Sequence, residues 1–166
     1  MSRTTIHIAV PPERVFAVLA DPYTYEHWVV GCKQIRGVEG NWPEAGSAFY
    51  HTVGLGPISV PDSTTSVECS RPHRLVLHAR ARPTGVARVE TELHDRNGGT
   101  EAIMIEVPIE GPMALLHNPI QDWLIDRRNR ESLRRLKRLA ESSPPAAAPR
   151  DETPVPAQRS SGRTGA

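Results

Sequence analysis

The chain has 166 residues, 38% hydrophobic and 5% aromatic, with 20 basic and 19 acidic side chains. That length suits one domain with a core large enough to fold unaided, and a net charge of +1 gives no overall reason to expect nucleic acid or an anionic membrane as partner. Cys32 and Cys69 stand apart without metal or redox spacing, and no run approaches the ~20 apolar residues of a membrane span, so a cytoplasmic protein without integral membrane association is expected.

The chain opens with a short alternating run, Thr5 to Val10, that reads as a strand. Pro11 and Pro12 end its pairing and suit the first turn of a helix, where a missing N–H has no partner to lose. Val15, Phe16 and Leu19 then recur at helical spacing, Asp21-Pro22 breaks that helix, and a second short helix is expected to end near Gly31. "GVEGNWPEAGS" reads as a loop, "SAFYHTV" as a strand, and "ISVPDSTTSVECS" as a long strand that Pro61 bends at a bulge.

"RLVLHARAR" puts Leu75, Leu77, Ala79 and Ala81 on one face and His78 and Arg80 on the other. "VARVETELHD" repeats this, with Ala87, Val89, Thr91 and Leu93 opposite Arg88, Glu90 and Glu92. One buried and one wet face mark an antiparallel sheet. "RNGGT" is a hairpin signal. In the returning strand Ala102, Met104 and Glu106 share a face, while Ile103, Ile105 and Val107 make an equally apolar opposite one. Its register stays open by one residue.

After "EGPMALLHN", which reads as an apolar mouth loop, comes an uninterrupted helix from Pro119 to Glu141. Ile125, Asn129, Ser132, Leu133, Leu136 and Ala140 lie on one side, so the helix packs on something flat and apolar. Its run "RRNRESLRRLKR" has seven basic residues and one glutamate. A solvated face explains most of these, and their one-sidedness leaves an anionic surface or partner as the alternative. The stretch 142–166, with five prolines and almost no large apolar residue, reads as a disordered tail, leaving 1–141 as the folded unit.

A sheet of this size with an apolar inner face needs a cover, and only the last helix is long enough. The order of pieces resembles the helix-grip fold of the SRPBCC superfamily, which includes START domains, birch-pollen-allergen-like proteins and polyketide cyclase/dehydrase-like proteins. The pieces that carry it are "IAVPPERVFAVLADPYTYEHWVVG", "GSAFYHTVGLGP", "RPHRLVLHARARPTGVARVETELHDRNGGT" and "RRNRESLRRLKRLAE". The resemblance implies an α+β fold: a curved antiparallel sheet of about seven strands around a long C-terminal helix, two short helices after the first strand, and a ligand-holding cavity between sheet and helix.

The expected walls are Ile6, Ile8, Phe49, Leu75, Leu77, Val89, Leu93, Met104 and Ile125, with Trp28 plugging or lining one end. Three inward polar residues are candidates for chemistry. Asn129 interrupts the apolar face of the helix, and a buried amide must find hydrogen bonds. His51 shares parity with Phe49 and Val53. Glu106, if inward, is a carboxylate in an apolar wall, where its pKa would rise and it could act as acid or base. Seven histidines show no metal-ligand spacing, and the glycines stand in turns instead of between a strand and a helix, so neither metal nor cofactor is expected. The expected partner is a hydrophobic or aromatic small molecule, of the lipid, polyketide or isoprenoid class. A cyclase/dehydratase-like enzyme using Glu106 or His51, and a protein-interaction module with an incidental cavity, are the alternatives.

Overall fold

The structure, a computed structural model, describes residues 1–55, 58–115 and 119–142. Strand β1 (Ser2–Ile8) is followed by helix α1 (Pro12–Leu19), a 3-10 turn (Pro22–Thr24) and the short helix α2 (Tyr25–Trp28). Six strands come next: β2 (Cys32–Glu39), β3 (Ala48–Leu55), β4 (Ile58–Ser70), β5 (Arg74–Ala81), β6 (Gly85–Arg96) and β7 (Gly99–Glu110). The short helix α3 (Pro112–Leu115) and the long α4 (Pro119–Ser142) finish the described chain. The sheet order is β1-β7-β6-β5-β4-β3-β2, with every neighbouring pair antiparallel. This is the helix-grip arrangement: a curved seven-stranded sheet with α4 packed against it.

Pairing of β1 stops at Ile8, opposite Thr100, before the two prolines are reached. Its partner β7 starts only at Gly99, so the chain leaves the ladder there. The Thr100 hydroxyl then donates to the Val10 carbonyl at 2.6 Å. Pro11 is extended and its carbonyl accepts from Arg14 N and Val15 N, while Pro12 occupies the first turn of α1 and Glu13 places an anion there. The prolines are thus the corner and the start of α1.

Three other expectations are corrected. Helix α2 ends at Trp28, short of Gly31, and β2 takes in Gly37–Glu39, which had read as loop. Pro61 makes no bulge: it stands opposite Thr52 in a regular ladder. The pairing of β4 with β5 begins only at Thr64, so β5 asks for no N–H at Pro61. The bulge lies at Ser66/Glu68, and it turns Cys69 towards the core beside Leu75.

The core has two parts. Val15, Phe16, Val18 and Leu19 of α1 meet Ile8, Leu93, Ala102 and the α4 residues Leu133, Leu136 and Ala140. Each such large side chain contributes roughly 1.5–3 kcal/mol by leaving water. The second part is aromatic: the Tyr25 ring lies 4.9 Å from Trp28 and 4.8 Å from Phe49, and Trp42 lies 4.7 Å from Phe49. Tyr25 Oη and Trp42 Nε1 both donate to the Leu19 carbonyl, at 3.0 and 3.1 Å. That satisfies the end of α1 and ties it to the aromatic cluster.

At the opposite end, Gly85 and Gly111 bring the β5–β6 turn against the chain leaving β7. A Cβ on Gly111 would lie 2.6 Å from Gly85 Cα, and both residues have positive φ, so glycine is required at each. The contact sets α3 against β7 and β6. Part of the expected mouth loop, 116–118, and all of 143–166 lie outside the described residues. No described helix is long and apolar enough to cross a membrane.

Candidate functional site

The cavity lies between the inner face of the sheet and α4, in the half of the concavity that α1 does not fill. Leu77, Val89 and Glu106 stand opposite one another in a single row across β5, β6 and β7. Ala79 and Ala87 continue the wall one pair nearer the Gly85–Gly111 end. Met104 completes the β7 side, Phe49 and His51 the β3 side, Trp28 the α2 end, and Arg128, Asn129 and Ser132 the α4 roof. The space is about 120 Å³ and opens to solvent on one side, the scale of a cavity that takes one ring-sized guest. A longer ligand must project through the opening beside Arg128 and Arg80.

Eight of the thirteen residues singled out from the sequence line this cavity: Trp28, Phe49, His51, Leu77, Val89, Met104, Glu106 and Asn129. Leu75, Leu93 and Ile125 do not, and neither do Ile6 and Ile8. Leu75, Leu93 and Ile8 do point inward, but into the core cluster shared with α1, and Ile125 is buried outside that cluster. The β7 register is resolved with Ala102, Met104 and Glu106 inward.

Glu106 is not a lone carboxylate in an apolar wall, as the sequence had suggested. Arg128 Nη2 donates to its two oxygens at 2.7 and 2.5 Å. The carboxylate is buried while the guanidinium is half-exposed, so the pair stands at the cavity's opening. Arg128 had been read as part of a solvated run, and nothing local in that run distinguishes it.

His51 Nε2 lies 3.0 Å from Thr64 Oγ1, and its Nδ1 has no partner among the described residues. Burial pushes the imidazole below its ordinary pKa and nearby Arg36 adds to this, while Asp62 opposes both. The inner face of β4 is polar, which the sequence reading missed: Asp62, Thr64 and Ser66 are all buried. Each has a hydrogen-bond partner, Thr64 through His51. Asp62 accepts from Arg82 N at 2.7 Å and Ser63 N at 3.1 Å, and the Ser66 hydroxyl donates to the Pro43 carbonyl at 2.6 Å.

Asn129 Oδ1 accepts a long bond, 3.4 Å, from Arg128, while among the described residues neither its Nδ2 nor Trp28 Nε1 has a partner. Both donors belong to cavity-lining residues, and a buried donor is costly to leave without an acceptor. Ser132 is spent structurally, accepting from Val30 N at 3.1 Å. Cys32 also lines the cavity, but burial, with Glu26 adding to it, pushes its thiol up to about 11. Burial thus favours its protonated, less nucleophilic form. Among the described residues no three His, Cys, Asp or Glu side chains come together as a metal site would need.

The family described as "Polyketide cyclase / dehydrase and lipid transport" matches residues 2–141. No curated protein matches the chain in sequence. Among solved structures it is similar to protein CV1439 of Chromobacterium violaceum, at 20% identity and TM-score 0.64, over 85% of this chain and 97% of that one. It is also similar to Ara h 8.0201, at 14% identity and TM-score 0.67, over 85% and 97%. DynU16, from the dynemicin biosynthetic locus, aligns at 14% identity and TM-score 0.62, over 85% of this chain and 47% of its own. Identities this low speak for a shared fold.

Proposed function

The chain belongs to the polyketide cyclase/dehydrase and lipid transport family, and we propose that its cavity binds a hydrophobic small molecule carrying a ring-sized apolar group and at least one oxygen acceptor. The observation that carries this reading is the combination of apolar walls with unpaired buried donors on Trp28 and Asn129. Apolar surface supplies the affinity and a few placed polar groups fix the orientation. A ligand carbonyl or hydroxyl oxygen would give those donors what they lack, and a saturated hydrocarbon would not. DynU16, which shares the fold, comes from the dynemicin biosynthetic locus, which is consistent with a small-molecule ligand.

The test is displacement of an environment-sensitive dye from the full chain. Aromatic ketones and phenols should compete, and hydrocarbons of equal size should compete at least tenfold less well, about 1.4 kcal/mol. Ala79→Phe, which fills the space from the wall, should abolish dye uptake while leaving the fold intact. Dye uptake unchanged by Ala79→Phe would sink the assignment.

One observation favours a second reading, catalysis in the same cavity: the buried imidazole of His51, held towards its neutral form with one nitrogen unpartnered, is suited to accept a proton. His51→Gln separates the two readings. A binding protein keeps its affinity within about tenfold, whereas an enzyme keeps affinity and loses about 100-fold or more in turnover.

A further inference from the structure

The outward side of α4 changes character along its length. Opposite the buried stripe of Ile125, Asn129, Leu133 and Leu136 lie Ile120, Trp123 and Leu124, then Arg127, Glu131, Arg134 and Arg138, with Glu131 3.8 Å from Arg138. The first three are exposed at 65%, 56% and 54%, and Leu115 of the neighbouring α3 at 86%. Large apolar side chains are seldom left in water as a group, and such a group marks an interaction surface. The Arg127 guanidinium sits over the Trp123 ring, 5.7 Å from its centroid, joining the apolar tip to the basic ridge behind it.

Charge identifies the occupant. Helix α4 has seven basic and four acidic residues, a net +3, in a chain whose total is +1; the positive charge is concentrated on this element. An apolar tip with a tryptophan, backed by arginines, matches a lipid surface, where acyl chains lie beneath a layer of phosphates. A second copy fits less well, because a two-fold contact along this face would bring like charge towards like charge. The patch also borders the cavity: Arg128 is one turn from Leu124 on the same helix and lines the opening.

We propose that the α3–α4 end docks on an anionic bilayer, Leu115, Ile120, Trp123 and Leu124 entering the interface and Arg127, Arg134 and Arg138 meeting lipid phosphates. The cavity opening is then presented to the membrane, and a hydrophobic ligand can pass between the two without crossing water. Docking needs no occupied cavity, so it stands or falls apart from the ligand assignment.

The experiment uses the full chain and vesicles of phosphatidylcholine alone or mixed equally with phosphatidylglycerol, read by co-sedimentation and tryptophan emission. Trp28 and Trp42 are already buried, so a blue shift reports Trp123. Binding should appear on the phosphatidylglycerol vesicles, weaken with salt, and fall about fivefold for each arginine removed in Arg134→Ala and Arg138→Ala. Leu124→Asp should abolish it while the circular dichroism spectrum and melting temperature, the check on folding, stay those of the wild type. Equal binding to both vesicles, or binding to neither, overturns the proposal. So does a concentration-dependent dimer that Leu124→Asp abolishes, for then a second copy covers the patch.

Discussion

Arg128 of α4 holds both carboxylate oxygens of Glu106 of β7 through a single guanidinium nitrogen. The two partners are unequal, since the carboxylate is buried and the cation half-exposed. Removing the cation leaves a buried anion without its counter-charge, whereas replacing the carboxylate by an amide leaves a cation that solvent can reach. Arg128→Met should therefore destabilise by about 1.5–3 kcal/mol, the range for hydrogen bonds to charged groups, and Glu106→Gln by less than about 1 kcal/mol. Urea unfolding of both variants checks the order. The reverse order would mean that Glu106 is stabilised by something other than Arg128.

His51 predicts a pH dependence. Burial holds its folded pKa below the ordinary 6.5, so the unfolded chain takes up its proton at higher pH than the folded one does. The neutral imidazole's contribution to stability is complete above 6.5 and is lost as pH falls through the depressed folded pKa. The melting temperature of the wild type should fall relative to that of His51→Gln below about pH 6.5, and the two should run parallel above it. A parallel course throughout would mean that the imidazole is hydrated.

The strand β5 offers a test of facing. Leu77 is buried opposite Val89, while Arg80 is exposed. Leu77→Asp places a charge against Val89 and Met104 and should cost several kcal/mol. Arg80→Asp should stay within ~0.5 kcal/mol. Equal effects in thermal melts would contradict the register.

Strands β5 and β6 were legible because the residues of one face are polar in sequence, His78, Arg80, Arg88, Glu90 and Glu92: their alternation alone places Leu77, Ala87 and Val89. Strand β7 was not, because Ile103, Ile105 and Val107 make its outer face apolar too, and Ile103 is buried there opposite Glu92 and Thr5. With both faces apolar, alternation loses its meaning, and only the pairing of Glu106 with Val89 and Ser2 settles the orientation. The polar inner face of β4 was hidden for the opposite reason. Asp62, Thr64 and Ser66 look like solvent-facing residues, and their burial rests on partners in other elements, Arg82, His51 and Pro43. Parity was right for Leu75 and Leu93, but parity says nothing about how far along the concavity α1 reaches. Arg128 depended on a carboxylate 22 residues away, a separation at which sequence pattern carries no signal.

Asn129 gives the sharpest trade between stability and binding. Its side chain is buried in the roof of the cavity, and among the described residues its oxygen accepts only a long bond and its nitrogen has no partner. In the empty protein that amide is a liability, because an unsatisfied buried donor costs about 1–3 kcal/mol. Leucine is close in shape and has nothing to satisfy, so Asn129→Leu should stabilise the empty protein, by about 1 kcal/mol after the lost bond to Arg128 is counted. If the amide instead donates to a ligand oxygen, the same change removes that bond and strands the oxygen against an apolar wall. Affinity for an aromatic ketone should then fall about tenfold or more, while affinity for a hydrocarbon of equal size should hold or rise. Melting curves and dye displacement on one pair of proteins read both effects. A variant that is destabilised and binds ketone and hydrocarbon in the wild-type ratio would show that Asn129 serves the fold and leaves ligand recognition to Trp28.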